Sequence, residues 1–221
     1  MSLEYDGPVV PASPAGPADS GPAERPGGQR RRLLDDPRSL RALAHPLRLE
    51  LQVIVGRAGR ITTAHAAREL GISHGLASHH LHQLAKYGFV EQVSGADNRE
   101  RPWQLVATST SHEGLEDKPG GAAAVQAFEQ VAAERTLESL LDWQERRESW
   151  SAGWRRHSGL GRSAVYLTED ELAGLVSEFD KLLLRYIEER PIDDLESRPP
   201  ASVPVELTLF VIPRGPVPAG D

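Results

Sequence analysis

The chain has no cysteine among its 221 residues. Disulfides, thiolate metal sites and cysteine nucleophiles are therefore excluded, and cysteine usage says nothing about redox compartment. No stretch approaches the roughly 18 consecutive apolar residues of a membrane-spanning helix, and the first residues lack a basic segment followed by an apolar one. The expectation is a cytoplasmic protein with no membrane partner. Also missing are a Gly-rich phosphate loop, a nucleophile elbow and a paired His-Glu zinc motif, so the expectation is not an enzyme, with no cofactor. What remains, 39% apolar and 26% charged residues, is the composition of a soluble globular protein. The length allows one well-packed domain with appendages, or two small ones. No repeat of solenoid length is found.

The net charge of −7 hides a segregation of sign. Residues 1–29 hold six prolines and five glycines, carry −3, and have too few large apolar side chains to offset ordering, which reads as a disordered arm. Residues 30–107 carry +5 and have a regular apolar pattern. Residues 108–121 (TSTSHEGLEDKPGG) are polar and without period, as a linker would be. The remainder, 122–221, is acidic, and the chain from 108 onward carries −9.

In the basic unit, Asp36-Pro37 followed by Leu40, Leu43 and Ala44 signals an N-cap, a proline in the first turn and a short helix. His45-Pro46 ends it and starts a second helix to about Arg57. Leu47, Leu49, Leu51, Val53 and Val55 also alternate as a strand would, but Leu47, Leu51, Ile54, Val55 and Ala58 fit helical spacing. Thr62 or Thr63 caps a third helix through Ala66, Ala67 and Leu70, which Gly71 ends. Ser73 caps a fourth. Two short helices around a Gly-containing turn form the helix-turn-helix pattern.

On the fourth helix, at about 100° per residue, Ala77, Leu81 and Leu84 share a stripe that packs inward. Gly75, Ser78, His79, His82 and Lys86 lie opposite, with no carboxylate to repel phosphate. Gly88 ends this helix. Then 89–93 and 101–107 have β-type composition around a polar tip, a hairpin in which Trp103 and Leu105 face inward. Arg99 and Arg101 come from its tip and second strand, placed to meet a backbone or minor groove.

The segments RSLRALAHPLRLELQVIV and ARELGISHGLASHHLHQLAKYGFVEQ resemble the DNA-binding domain of ArsR-type bacterial transcriptional regulators over 35–107. Ser78, His80, Leu81 and Leu84 stand at the family's serine, histidine and leucine positions. The resemblance implies a winged helix-turn-helix repressor, usually a homodimer on a palindromic double-stranded DNA operator, with helix 73–87 in the major groove and wing 94–101 beside it. It implies DNA contacts by Ser73, His74, Gly75, Ser78, His79 and His82, with Arg99 and Arg101 from the wing. Thr63 and Lys86 are placed with this set. Metal-sensing members carry a cysteine pair where this chain has AHAARELG, so thiolate sensing is excluded.

Five of the eight histidines, His65, His74, His79, His80 and His82, lie within eighteen residues. A zinc site is the sharp reading. Adjacent helical positions diverge, however, so His80 reads as a hydrogen-bonded packing residue, His79 and His82 as groove residues, and no metal is expected. Groove imidazoles predict that operator affinity rises as pH falls through about 6.5.

Farther along, Val125, Phe128, Ala132, Leu137, Leu140 and Leu141 mark a long helix that is expected to build the dimer. Trp143, Trp150 and Trp154 are candidates for an effector pocket for a small-molecule or protein effector, or else ordinary core. Thr168 and Glu171 form a capping box ahead of a second apolar stripe, Leu172, Leu175, Val176, Phe179, Leu182, Leu183, Tyr186 and Ile187. Residues 164–167 and 203–212 have strand composition and suggest a small C-terminal α/β element. The fold expected is thus mainly α with α+β features. The acidity of this half discourages DNA contact. The alternative function is a winged-helix adaptor that binds protein instead of DNA.

Overall fold

The computed structural model describes residues 29–93, 101–190 and 194–215. Strand β1 (Gln29–Leu33) leads into α1 (Pro37–Leu43), α2 (Pro46–Ala58), α3 (Thr63–Leu70) and α4 (His74–Lys86). The wing strands β2 (Val90–Gln92) and β3 (Trp103–Leu105) follow, then β4 (Ala107–Ser111) and α5 (Gly121–Glu145). A single 3-10 turn (Arg147–Ser149), α6 (Ala152–His157) and α7 (Glu169–Glu189) complete the described elements.

Capping chemistry sets the boundaries of the first four helices. Asp36 accepts from the Arg38 N–H at 2.9 Å ahead of Pro37. His45 caps α2 through Nδ1, which accepts from the Leu47 N–H at 3.2 Å. Thr62, not Thr63, caps α3, and Ser73 caps α4. Gly71 leaves α3 at φ 62°, where its lack of a Cβ removes the steric cost. This turn sets the helix-turn-helix angle.

Helices α1 to α4 close on one core. Leu40, Leu43, Leu51, Ile54, Val55, Ile61, Leu81 and Leu84 are buried in it, with Trp103 and Leu105 from the wing. The inward stripe of α4 and the inward orientation of Trp103 and Leu105 are as the periodicity predicts. β2 and β3 pair antiparallel, Val90 opposite Leu105 and Gln92 opposite Trp103, and Ile61 bridges to Trp103 from the loop before α3. Helix, helix, helix-turn-helix and wing make a winged helix-turn-helix, mainly α with a small share of sheet.

Three expectations are corrected. The stretch 108–121 is not linker throughout, since 108–111 belong to β4 and Gly121 opens α5, with turns and loop between them. β4 pairs in parallel with β1, Gln29 opposite Ala107 and Leu33 opposite Ser111, and the Leu34 N–H continues the contact to the Ser111 carbonyl at 2.7 Å. Gln29, placed at the end of the arm, is the first residue of that pairing. Leu115 is fully buried, a contribution of about 1.5–3 kcal/mol for a leucine. The core therefore runs on through Leu115, Ala124 and Val125 into the first turns of α5.

The second correction is in the C-terminal half. Residues 164–167 and 203–212 form no strand. Their apolar side chains, among them Val165, Leu207, Phe210 and Ile212, stand exposed. Strand composition needs a second edge to supply hydrogen bonds, and these segments meet none among the described residues. The third concerns His80 and is taken up with its neighbours below.

Helix α5 is tied to α2 by an ion pair between Arg135 and Glu50, with Glu138 as a second partner of the same guanidinium. Beyond it Leu137 and Leu141 are more than half exposed. α7 has its capping box, the Thr168 N–H donating to Glu171 at 2.8 Å and the Glu171 N–H to Thr168 at 3.3 Å. None of its residues is buried, and Leu175, Leu182 and Tyr186 are about half exposed.

Candidate nucleic-acid interface

The outer face of α4 is built from its N-cap upward. Ser73 is exposed, and its hydroxyl accepts from the Leu76 N–H at 3.2 Å, so it acts first as a cap. His74, Gly75, His79, His82 and Lys86 are exposed, and Ser78 is half-buried. Space around Gly75 is open. Sequence reasoning missed Leu76, an apolar side chain on the same helix that is 40% exposed. Its signal was its departure from the inward stripe of Ala77, Leu81 and Leu84.

His82 is oriented by its own helix. Its Nδ1 lies 2.8 Å from the Ser78 carbonyl oxygen. A carbonyl only accepts, so Nδ1 carries the proton and donates, which leaves Nε2 of the neutral ring as an acceptor. The ring stands edge-on to Trp103 at 5.1 Å. An acceptor held on this face is matched to an exocyclic amine of adenine or cytosine in a major groove.

Trp103 couples the parts of this surface. Its indole Nε1 donates to Thr63 Oγ1 at 2.9 Å while its ring backs His82. Thr63 is therefore a hydrogen-bond acceptor that joins α3 to the wing, rather than a free hydroxyl. At the other end of α4, Arg32 on β1 donates to the Tyr87 and Gly88 carbonyls at 2.8 and 2.6 Å and lies over the Phe89 ring. These carbonyls end the helix, where its dipole is negative, so a cation stabilises them. Gly88, at φ 71°, leaves room for it, because a Cβ there would meet Arg32 at 3.0 Å. Arg101 is exposed two residues before β3. Arg99 lies outside the described residues, as does most of the wing tip.

The histidines divide among different tasks. His80 is buried as expected, but its Nδ1 has no hydrogen-bond partner among the described residues, where a bonded ring was expected. Its ring packs on His45 at 4.5 Å and meets His79 edge-on at 5.2 Å. Burial, then the neighbouring His45 and Arg48, hold its pKa below the ordinary histidine range. Burial and Arg48 do the same to His45, in keeping with an Nδ1 that must stay unprotonated to cap α2. Among the described residues no three histidine or carboxylate side chains converge as a metal site.

The three tryptophans do not converge on one site. Trp150 and Trp154 pack edge-to-face at 5.9 Å, whereas Trp143 lies under the Arg147 guanidinium at 5.4 Å. None of the three is buried. No helix among the described residues is long and apolar enough to cross a membrane.

No family model matches the chain, and no curated protein does. Among solved structures it is similar to MarR from E. coli. The wild-type apo form is 20% identical, covering 66% of this chain and 87% of MarR, with a TM-score of 0.28. A single-site mutant of MarR complexed with operator DNA is 19% identical, covering 66% and 86%, with a TM-score of 0.27. The winged helix-turn-helix assignment stands on this chain's own elements.

Proposed function

We propose that the protein is a sequence-specific DNA-binding transcriptional regulator, acting as a homodimer that places α4 of each copy in the major groove. The observation that carries this reading is the outer face of α4: Ser78, His79, His82 and Lys86 without a carboxylate, backed by Trp103. Wing 94–101, with Arg99 and Arg101, lies against the adjacent backbone or minor groove. The amides at the start of α4 add a site for a phosphate. The resemblance to ArsR-type regulators adds the repressor role. The acidic C-terminal half serves dimerisation and an effector, the latter through the Trp150 and Trp154 pair, with Trp143 apart from it. The regulator works in the cytoplasm without catalysis.

The half-exposed apolar stripe of α7 favours a second reading, an adaptor that docks on another protein. Salt separates the two. Each phosphate neutralised by a cation releases counterions, so log affinity for DNA falls against log salt with a slope of about −0.9 per contact. Gel shifts on the chromosomal fragments retained by the purified protein are expected to show that slope. Replacing Arg99 and Arg101 by alanine is expected to make it shallower by about two. Fragments retained with no salt-sensitive complex would leave the adaptor.

A further inference from the structure

Where α1, α2 and the last turn of α4 meet, a cavity of about 260 Å³ is lined by Arg38, Arg41, Ala42, Arg48, Gln83 and Tyr87. Three guanidiniums share this small volume. The carboxylate beside them is already engaged, since Asp36 pairs with Arg38 at 3.1 Å. Neither the Arg41 nor the Arg48 guanidinium has a hydrogen-bond or ion-pair partner among the described residues.

Arg48 decides what the cavity is for. Its Nε is buried and meets no acceptor among the described residues. Arg48 is half-buried, and burial holds its guanidinium below the ordinary range, so Nε is withdrawn from water without an acceptor while the terminal nitrogens stay open to the cavity. The nearby His45 and His80 rings are neutral neighbours and supply no negative charge. Guanidiniums on two helices, with an amide and a phenol one turn apart on a third, make a donor-rich wall for an anion with several acceptor oxygens. One carboxylate would leave most of that charge unmatched.

We propose that this corner is a phosphate-binding pocket, with Arg41 and Arg48 as the principal ligands of the oxyanion and Arg38, Gln83 and Tyr87 around it. A second cavity of about 610 Å³ shares Arg38 and Tyr87 and adds Arg32, Ser39 and Lys86, together with two acidic residues, Asp35 and the Asp36 already paired with Arg38. It offers room for whatever carries the phosphate, either a phosphorylated small molecule or the backbone of a duplex lying along α4.

The test uses the full chain and inorganic phosphate, with chloride matched for ionic strength. Phosphate is expected to bind saturably in calorimetry and to raise the melting temperature by mass action. Arg48→Met and Arg41→Gln are each expected to weaken phosphate binding about tenfold or more. In phosphate-free buffer Arg48→Met is expected to melt no lower than wild type, which shows that the variant folds and that its lost affinity is local. A wild type without a phosphate-dependent shift, or equal binding by both variants, overturns the pocket. With phosphate binding established, a saturating duplex identifies the source: competition assigns the backbone phosphate, and simultaneous binding assigns a free phosphate ester. Because the primary titration contains no DNA, its failure is distinct from failure of the regulator reading.

Discussion

His45 and His80, whose rings pack at 4.5 Å, make folding stability depend on pH with a definite sign. Burial is the first cause that holds both imidazoles below the ordinary histidine range. In the unfolded chain they titrate near 6.5, so on acidification the unfolded state takes up protons first and folding stability falls. The loss continues until the folded imidazoles charge as well. Melting temperature is expected to drop from pH 7.5 to 5.5, and His80→Phe, which keeps a ring in the same space, is expected to flatten that slope. Thermal melts of both proteins across this range decide it. Parallel slopes would remove the pair from the account. Gly121 allows a steric forecast. A Cβ there would lie 1.7 Å from the Leu115 carbonyl oxygen, whereas at Gly75 it would meet nothing within 4 Å. Gly121→Ala is expected to cost about 1–3 kcal/mol through overpacking, while Gly75→Ala is expected to gain up to about 1 kcal/mol of helix propensity. Urea denaturation of the two variants measures both signs.

Between elements, the informative contact is the Trp103 hydrogen bond to Thr63, which spans forty positions of sequence. Thr63→Val keeps the shape and removes the acceptor, leaving a buried indole N–H unpaired, so a loss of about 1–3 kcal/mol is expected. The salt slope of DNA binding is expected to stay unchanged, since the hydroxyl neutralises no phosphate; a shallower slope in gel shifts would return Thr63 to the DNA-facing set. This contact also shows why only part of the site was legible. The face of α4 follows from helical periodicity, and the caps at Asp36, Thr62 and Ser73 and the stops at Gly71 and Gly88 are local signals within a few residues of what they control. The partner of Thr63 was not local. Nor was the parallel pairing of β1 with β4, whose two strands are separated by the whole helix-turn-helix unit. Residues 203–212 fail in the opposite direction, because alternating apolar composition states a preference for an extended chain without providing the edge that would make it a strand. The guanidinium cavity drew no notice in the sequence, since Arg38, Arg41 and Arg48 belong to two helices that the His45-Pro46 break folds together.

For the molecule as a whole, the division of charge matches a division of exposure. The basic unit buries most of its apolar side chains, Leu33, Val53 and Leu76 excepted, while the acidic half leaves Leu137 and Leu141 on α5 and Leu175, Leu182 and Tyr186 on α7 about half exposed. Apolar surface of this kind on a chain with an ordered core is a cost unless another surface covers it. In the proposed dimer a second copy would cover α5, an arm whose first turns are locked into the core and whose later turns leave Leu137 and Leu141 exposed. A twofold seam along that arm would set the two α4 helices as a rigid pair, and successive major grooves on one face of a duplex lie about 34 Å apart. Leu137→Glu with Leu141→Glu puts carboxylates into the seam without touching α4. The double variant is expected to sediment as a monomer where wild type sediments as a dimer, and to lose about 100-fold or more in operator affinity because the two half-sites are no longer bound as one unit. A double variant that still sediments as a dimer would move the dimer contact off α5 and leave α7 and the exposed 203–212 segment as the faces to test next, whereas a wild type that sediments as a monomer at micromolar concentration, or a monomeric variant that retains operator affinity, would remove the dimer from the account of DNA binding.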